Sequence, residues 1–185
     1  MNRVTLAIIV FFGTALLLYW QVQSKRGETA LTIDVSSRPD YIADNLKSVE
    51  YNEQGLVNSR VSAKHMEHFE EENMTYFTDP IYLVYPEQGQ AQWQLQSTKG
   101  TMNKGSGKVI LENNVIINAI NSQEPIQSIK TSYLELDLNT MIMTSDREIY
   151  ITGSDFIIKG VGLYADLNAE SVKLTSQVNG TYSAQ

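Results

Sequence analysis

Alternating apolar and polar residues predict β-strands along most of the chain. In KVILENNVIINAI, residues 108–120, every second side chain lies on one strand face, and that face is apolar except at Asn113. Its apolar members are Val109, Leu111, Val115, Ile117 and Ala119. The other face mixes Glu112 and two asparagines with three isoleucines. One side of this strand is therefore almost entirely hydrocarbon.

Two other segments alternate with the same period. AQWQLQ, residues 91–96, separates Trp93 and Leu95 from its glutamines, and LELDLN, residues 134–139, separates its leucines from its acidic residues. Such alternation is typical of half-buried antiparallel strands. Further β-rich runs predict strands at residues 57–63, 76–77, 81–85, 126–129, 149–151, 156–158 and 172–174.

Turn sequences such as NEQG, KGSG, TSDRE and TGSD separate these runs at short intervals. A helix fits only AKHMEHFEEEN, residues 63–73, as an alternative to a strand there. Many short strands joined by hairpin turns predict an all-β sandwich, roll or barrel.

A faint internal repeat supports a sheet built from successive strand pairs. VILENNV at 109–115 and VKLTSQV at 172–178 share the pattern V-x-L-x-x-x-V, and IYITGSDF at 149–156 is a looser third copy. Repeats of paired strands indicate a sheet that grows by adding hairpins, as in a solenoid-like roll.

The N-terminus differs from the rest of the chain. From Val4 to Trp20 there are 17 residues without a charge. At about 1.5 Å per residue they would span roughly 26 Å as a helix, close to the thickness of a bilayer core. A cleaved signal peptide has a shorter apolar core and a small-x-small site, which the following QVQSKRGE lacks. We expect a short tip and transmembrane anchor over residues 1–24, a linker over 25–40 and a β-domain over 41–185.

Charge limits the partners of that domain. The whole chain has a net charge of -7, and the first 26 residues hold three basic and no acidic side chains. Residues 27–185 therefore hold 11 basic and 21 acidic side chains, a net charge of -10. Such a field repels nucleic acid, so we expect no nucleic-acid partner, and an anionic amphiphile would have to be held by its apolar part.

Motifs for catalysis or metal binding are missing from the sequence. The only histidines, His65 and His68, fall on opposite faces of a strand and lack further zinc ligands, so we interpret them as surface residues. No nucleophile elbow or phosphate-binding loop is present. We therefore expect neither enzymatic activity nor a cofactor. The apolar excess has two open interpretations: a closed dry core, or a slot between sheets that stand apart.

The order of segments resembles the LptC family of lipopolysaccharide export proteins. The resemblance rests on the N-terminal anchor and on segments that follow in order from about residue 3 to residue 182: PDYIADNLKSVEYNEQGLVNSRVSAKHMEHF, YFTDP, WQLQSTKGTM, KVILENNVIINA, IKTSYLELDLNTMIMTSD and GVGLYADLNAESVKLTSQVNGTY. One departure is ENNV, where Asn113 replaces a glycine common in the family. Asparagine tolerates a left-handed backbone, so we expect the bend there to survive.

The resemblance implies a fold and a place in the cell. The fold would be an all-β, twisted, boat-shaped antiparallel β-jellyroll like that of LptA, preceded by a single N-terminal transmembrane helix. The protein would be anchored in the inner membrane by one pass, with its C-terminal domain in the periplasm. It would take lipopolysaccharide from the LptBFG transporter and pass it to LptA.

Two residue sets follow from that resemblance. The apolar groove for lipopolysaccharide would be lined by Leu46, Phe77, Trp93, Leu95, Val109, Leu111, Val115, Ile117 and Val172. Partner contacts would involve Tyr41, Gly55, Gly153, Val172, Leu174, Val178 and Tyr182. The residues at the N-terminal end of the β-domain, together with the transmembrane helix, would meet LptBFG. The C-terminal edge strand would meet LptA.

Two other classes of function compete with lipid transfer. A membrane-tethered β-sandwich could act as a scaffold or adhesion module and carry no lipid; its apolar faces would then form a closed core. An enzyme acting on sugars or peptidoglycan would need paired carboxylates in a cleft, and no sequence motif marks such a pair.

Overall fold

The computed structural model describes Tyr19, residues 38–85 and residues 92–182. Within the two long ranges the regular elements are eleven strands of one antiparallel sheet. They are β1 (Tyr41–Tyr51), β2 (Val57–Phe69), β3 (Met74–Thr78), β4 (Ile81–Val84), β5 (Trp93–Gln96), β6 (Lys99–Asn103), β7 (Lys108–Ala119), β8 (Ile126–Asp137), β9 (Ile142–Gly153), β10 (Phe156–Asp166) and β11 (Ser171–Tyr182). The all-β prediction is confirmed. The alternative of a helix at 63–73 is wrong, because residues 63–69 continue β2 and a turn follows.

The predicted anchor falls outside this description. Of residues 1–24 only Tyr19 is described, and of the predicted linker only residues 38–40. In the described part of the chain, no helix is both long and apolar enough to cross a membrane. The chain divides into two compact units between Arg38 and Pro39. All eleven strands belong to the second unit.

Two long strands of the sheet change partner along their length. The N-terminal half of β2 pairs with β4 and its C-terminal half with β3, while β7 pairs first with β6 and then with β5. Since β3 pairs with β6 and β4 with β5, β3 and β4 together act as one strand with a bend, and β5 and β6 as the next, between β2 and β7. From β7 onward each strand pairs with the next up to β11, and β1 pairs with β2.

A bulge in β7 lies where that strand changes partners. Asn113 and Asn114 have φ angles of 62° and 54°, and the register with β8 shifts between Glu112 and Val115. A bulge of this kind bends the strand and increases its twist. The carbonyl of Asn113 accepts a hydrogen bond of 2.9 Å from the amide of Thr98, in the turn between β5 and β6. The expected left-handed backbone at Asn113 is therefore present.

The inward faces of the strands form one apolar core. Val109, Leu111, Val115 and Ile117 on β7 are completely buried, and Leu134, Leu136 and Leu138 pack beside them. The alternation predicted from residues 109–117 and 134–138 is thus confirmed. Burying one such aliphatic side chain contributes about 1.5–3 kcal/mol, so the core dominates the stability of the sheet.

Strand β1 is held mainly by its backbone and a few polar side chains. Asp44 Oδ1 lies 2.7 Å from His65 Nδ1, and hydrogen bonds with Asp44 and, secondarily, Glu67 raise the pKa of His65. Ser59 Oγ donates a hydrogen bond of 3.0 Å to Glu50 Oε2. The turn into β2 contains Gly55 at a φ of 76°, a left-handed conformation that favours glycine. Tyr41, one of the predicted partner residues, begins this strand and is paired in register with His68.

Gly153, at the end of β9, is needed for space. A Cβ atom at this position would overlap the ring of Phe156, which begins β10. Phe156 is paired in register with Tyr182, and their ring centroids are 6.0 Å apart. The missing side chain at Gly153 thus lets Phe156 pack where it also supports the last residue of β11.

We predict that Gly153→Ala displaces the Phe156 ring and loosens the end of β11. Overpacking of this kind costs about 1–3 kcal/mol of unfolding free energy. Chemical denaturation should record that loss, and amide hydrogen exchange should accelerate at residues 180–182. Gly105→Ala is the matched control, because its Cβ would meet its nearest neighbour, Asn103 Oδ1, at 3.4 Å. Equal stability and equal exchange in both variants would contradict this explanation.

Candidate functional site

A pocket of about 520 Å³ lies at the side of the core covered by β1. We call it the β1-side pocket. Its apolar wall is formed by Leu46, Val61, Met66, Phe77, Tyr82 and Met102. Glu50, His68, Glu70 and Lys104 add charged or titratable groups to its lining.

A second pocket, of about 530 Å³, lies beside the start of β11. We call it the β11-side pocket. Its apolar lining comprises Trp93, Ile120, Pro125, Ile126, Ile129, Met143, Ala165, Leu167 and Val172. The charged residues that line it, Glu124, Asp166 and Glu170, are all acidic. An apolar wall with carboxylates around it suits an occupant that buries hydrocarbon and keeps its polar groups in water.

One row of paired side chains joins the two pockets. Tyr82 on β4 is paired in register with Leu95 on β5, Leu95 with Ile117 on β7, and Ile117 with Ile129 on β8. Tyr82 lines the β1-side pocket and Ile129 lines the β11-side pocket. Leu95 and Ile117 are both completely buried. The row thus runs across one face of the sheet from pocket to pocket, and we call the completely buried pair in its middle, Leu95 and Ile117, the central contact.

The predicted groove residues fall into three groups along this path. Leu46 and Phe77 line the β1-side pocket, and Trp93 and Val172 line the β11-side pocket. The remaining five are completely buried in the core: Leu95, Val109, Leu111, Val115 and Ile117. The structure thus brings the set into one continuous apolar interior, whose middle is closed and whose two sides hold cavities.

Five of the seven predicted partner residues lie on the two edge strands, while Gly55 lies in the turn between β1 and β2 and Gly153 ends β9. Among the described strands β1 pairs only with β2, and β11 pairs only with β10. Tyr41 on β1 and Val178 and Tyr182 on β11 are each more than half exposed. Val172 and Leu174, by contrast, pack against the core from β11. Each edge strand therefore has one side free of pairing with the other described strands.

His68 differs from its prediction as a surface residue. It lies on the inward face of β2 and is 8% exposed. Its Nδ1 shares a hydrogen bond of 2.8 Å with Thr75 Oγ1, and its Nε2 donates one of 3.1 Å to Glu70 Oε2. The Tyr41 ring stacks on it, with centroids 5.7 Å apart. Within residues 38–85 and 92–182, no cluster of three or more potential metal ligands occurs.

Sequence reasoning missed several residues that build the site. Tyr82 lies in the predicted strand 81–85, but every residue of that run is aliphatic or aromatic, so its pattern does not identify the inward face. Met143 and Ala165 line the β11-side pocket from strand halves that have no clear period. Their inward positions depend on register shifts in β9 and β10, which side-chain periodicity does not reveal.

Comparisons with known proteins agree on one family. The sequence model of the family described as "Lipopolysaccharide-assembly, LptC-related" matches residues 6–183. The Lipopolysaccharide export system protein LptC of Escherichia coli (strain K12) is 21% identical over 181 residues, covering 98% of this chain and 91% of that protein. The protein of the same name from Haemophilus influenzae is also 21% identical, over 91% of this chain and 88% of its own length.

A solved structure shares the fold. LptH from Pseudomonas aeruginosa, described as the LptA homologous periplasmic component of the lipopolysaccharide transport device, superposes with a TM-score of 0.53 at 10% identity. The similarity covers 68% of this chain and 95% of LptH. The family match over nearly the whole sequence establishes that the chain belongs to the LptC-related family of lipopolysaccharide-assembly proteins.

Proposed function

We propose that the protein transports lipopolysaccharide from the inner membrane towards the outer membrane, receiving it from LptBFG and passing it to LptA. The acyl chains would travel through the apolar interior, from the β1-side pocket across the central contact to the β11-side pocket. The protein would act as a conduit and not as an enzyme, and it would need no cofactor. Family membership and the LptA-like fold support this role.

The main support for the proposal is the row of register-paired side chains that runs from Tyr82 to Ile129. It connects two pockets of about 520 and 530 Å³ through side chains that are apolar throughout, apart from one hydroxyl. Burial of hydrocarbon contributes about 0.8 kcal/mol per methylene, so an acyl chain of about a dozen carbons is stabilised by roughly 10 kcal/mol when sheltered. That difference is large enough to keep such a chain inside the protein instead of in water.

Passage requires the central contact to open. Leu95 and Ile117 lie side by side on paired strands and have no exposed surface, so a chain crosses only if the side chains packed over this pair move away from it. The sequence offers no phosphate-binding loop with which to hydrolyse ATP, and in the proposal the transporter supplies the energy. The acidic lining of the β11-side pocket favours a pose in which sugars and phosphates stay in solvent.

Transfer between proteins would use the two edge strands. An unpaired strand edge can extend into the sheet of another β-protein through backbone hydrogen bonds. The β1 edge, with Tyr41 and the Gly55 turn, would face LptBFG, together with the transmembrane anchor predicted over residues 1–24. The β11 edge would face LptA, with Gly153 acting through Phe156 on Tyr182. The β-domain would then lie in the periplasm, tethered to the inner membrane.

The scaffold alternative is favoured by one specific observation. Five of the nine predicted groove residues are completely buried, as they would be in a protein whose core never opens. A scaffold of this kind would bind its neighbours through the same two edges and carry no lipid. The two functions therefore differ in whether the central contact is ever occupied by an acyl chain.

We predict that Ile117→Asp blocks lipopolysaccharide occupancy, because a carboxylate in the central contact is costly beside an acyl chain. The measurement is the lipopolysaccharide adduct formed by a photo-crosslinking residue at Trp93, which lines the β11-side pocket beyond the central contact, in membranes that contain the transporter. Ile116→Asp is the matched control, since Ile116 precedes Ile117 and is not part of the core cluster. Because a buried aspartate destabilises the core, Ile117→Ala should also be tested; its adduct should persist. An undiminished adduct in folded Ile117→Asp would contradict the assigned path.

We also predict that truncation after Gln177 abolishes binding to LptA and leaves binding to LptBFG intact. The truncation removes the exposed end of β11 and retains Val172 and Leu174, which pack on the core. Pull-down from detergent-solubilised membranes measures both interactions. If a folded truncated protein lost both partners, or kept both, the division between the two edges would be refuted.

A further inference from the structure

The hydroxyl of Tyr82 is buried without a hydrogen-bond partner. Tyr82 is 1% exposed, and across the part of the chain that the structure describes only two buried side-chain polar atoms lack a partner, Tyr82 Oη and Ser128 Oγ. Ser128 does not line either pocket, whereas Tyr82 lines the β1-side pocket and begins the row to Leu95. The unpartnered Tyr82 hydroxyl therefore lies on the path proposed for acyl chains.

Apolar side chains surround Tyr82 on three sides. It is paired in register with Val61 on β2 and with Leu95 on β5, and the Phe77 ring meets it edge-on with centroids 6.0 Å apart. Burial and, secondarily, the nearby Glu50 carboxylate raise the pKa of Tyr82. The phenol therefore remains protonated and keeps one donor and an acceptor oxygen.

A hydroxyl in this position destabilises the closed structure. A buried polar group that gives up water without gaining a partner costs free energy, whereas phenylalanine would fill the same volume without that cost. The packing of the core therefore requires the ring of Tyr82 but not its oxygen. A ligand that enters the pocket and hydrogen-bonds to the Tyr82 hydroxyl would remove this cost.

We infer that the Tyr82 hydroxyl hydrogen-bonds to an oxygen function on an acyl chain in the β1-side pocket. The oxygen would belong to a hydroxyl, ester or amide group on the chain. This inference rests on the proposed function, because it requires acyl chains to enter the pocket. Its consequence is selectivity: the passage prefers oxygen-bearing acyl chains to plain hydrocarbon chains. Tyr82 is then a specificity-determining residue at the entrance to the central contact.

The test compares Tyr82→Phe with the wild type in the full-length chain, held in lipid nanodiscs. A photoactivatable stearic acid labels the protein, and adducts on the peptides that line the β1-side pocket are quantified by mass spectrometry. Plain stearic acid competes, and so do its monohydroxylated isomers with the hydroxyl near the carboxyl end, at mid-chain or near the methyl end. Comparing two variants under each competitor cancels the partitioning of that competitor into lipid.

The expected result is selective for the hydroxylated chains. Plain stearic acid should compete equally in both proteins, and at least one hydroxylated isomer should compete about fivefold less well in Tyr82→Phe, as for the loss of one hydrogen bond. The melting temperature of Tyr82→Phe should equal or exceed that of the wild type. Tyr76→Phe is the control, because Tyr76 is partly exposed on the outward face of β3 and lines neither pocket, and it should match the wild type throughout.

Other results would overturn the inference in distinguishable ways. Equal weakening of plain and hydroxylated acids in Tyr82→Phe would assign the residue a packing role only. Equal competition by every isomer in both proteins would mean that the hydroxyl takes no part in binding. If the pocket peptides of the wild type acquire no adduct that any acid displaces, the proposed function itself fails and this inference fails with it.

Discussion

The interior of the protein depends on breaks in the regular backbone near the middle of its long strands. On β7 the break is the pair of left-handed residues Asn113 and Asn114, on β10 it is Gly162, and on β11 it is Gln177. At the β7 break the strand leaves β6 and takes β5 as its partner, and β2 exchanges β4 for β3 in the same manner. Both exchanges lie where the chain bends between β3 and β4 and between β5 and β6. Asp79 N donates to Thr98 O and Thr98 N donates to Asn113 O, so the bulge in β7 belongs to one bend that crosses the sheet.

This arrangement explains why the interior is closed in the middle and hollow at two sides. Near the β7 bulge the inward side chains are completely buried, including Leu111 and Val115. Away from it, β1 and β11 each pair on one side only and cover the core less completely. The two pockets lie beside these edge strands. The cavities that suit acyl chains are thus next to the strand edges that suit partner proteins.

Sequence reasoning predicted the strands whose faces differ most in polarity. Residues 109–117 and 134–138 alternate cleanly, and their inward faces were assigned correctly. The repeat of 109–115 in 172–178 also has a structural meaning, because Asn114 and Gln177 occupy the same position in the two copies and both are left-handed. The sequence similarity of the two segments therefore reflects a left-handed residue that interrupts both strands at the same position.

Other features depend on contacts that a linear pattern does not contain. Strand β1 has few inward apolar residues and is stabilised by pairing with β2, so its sequence does not predict a strand. His68 is buried because Thr75 and Glu70 satisfy its nitrogens. The division of the apolar residues between core and pockets follows from register, which places Leu95 and Ile117 together and leaves Leu46 and Val172 at the sides.

The central claim is that acyl chains cross over the sheet face formed by Leu95 and Ile117, and position-specific crosslinking tests it most directly. A photo-crosslinking residue at Ile117 is compared with one at Ile116, in membranes that contain the transporter, with and without ATP. The account predicts an ATP-dependent lipopolysaccharide adduct at position 117 and a much weaker one at position 116. Absence of an adduct at position 117, in a folded protein that still binds its neighbours, would contradict it and leave the apolar row as an ordinary core.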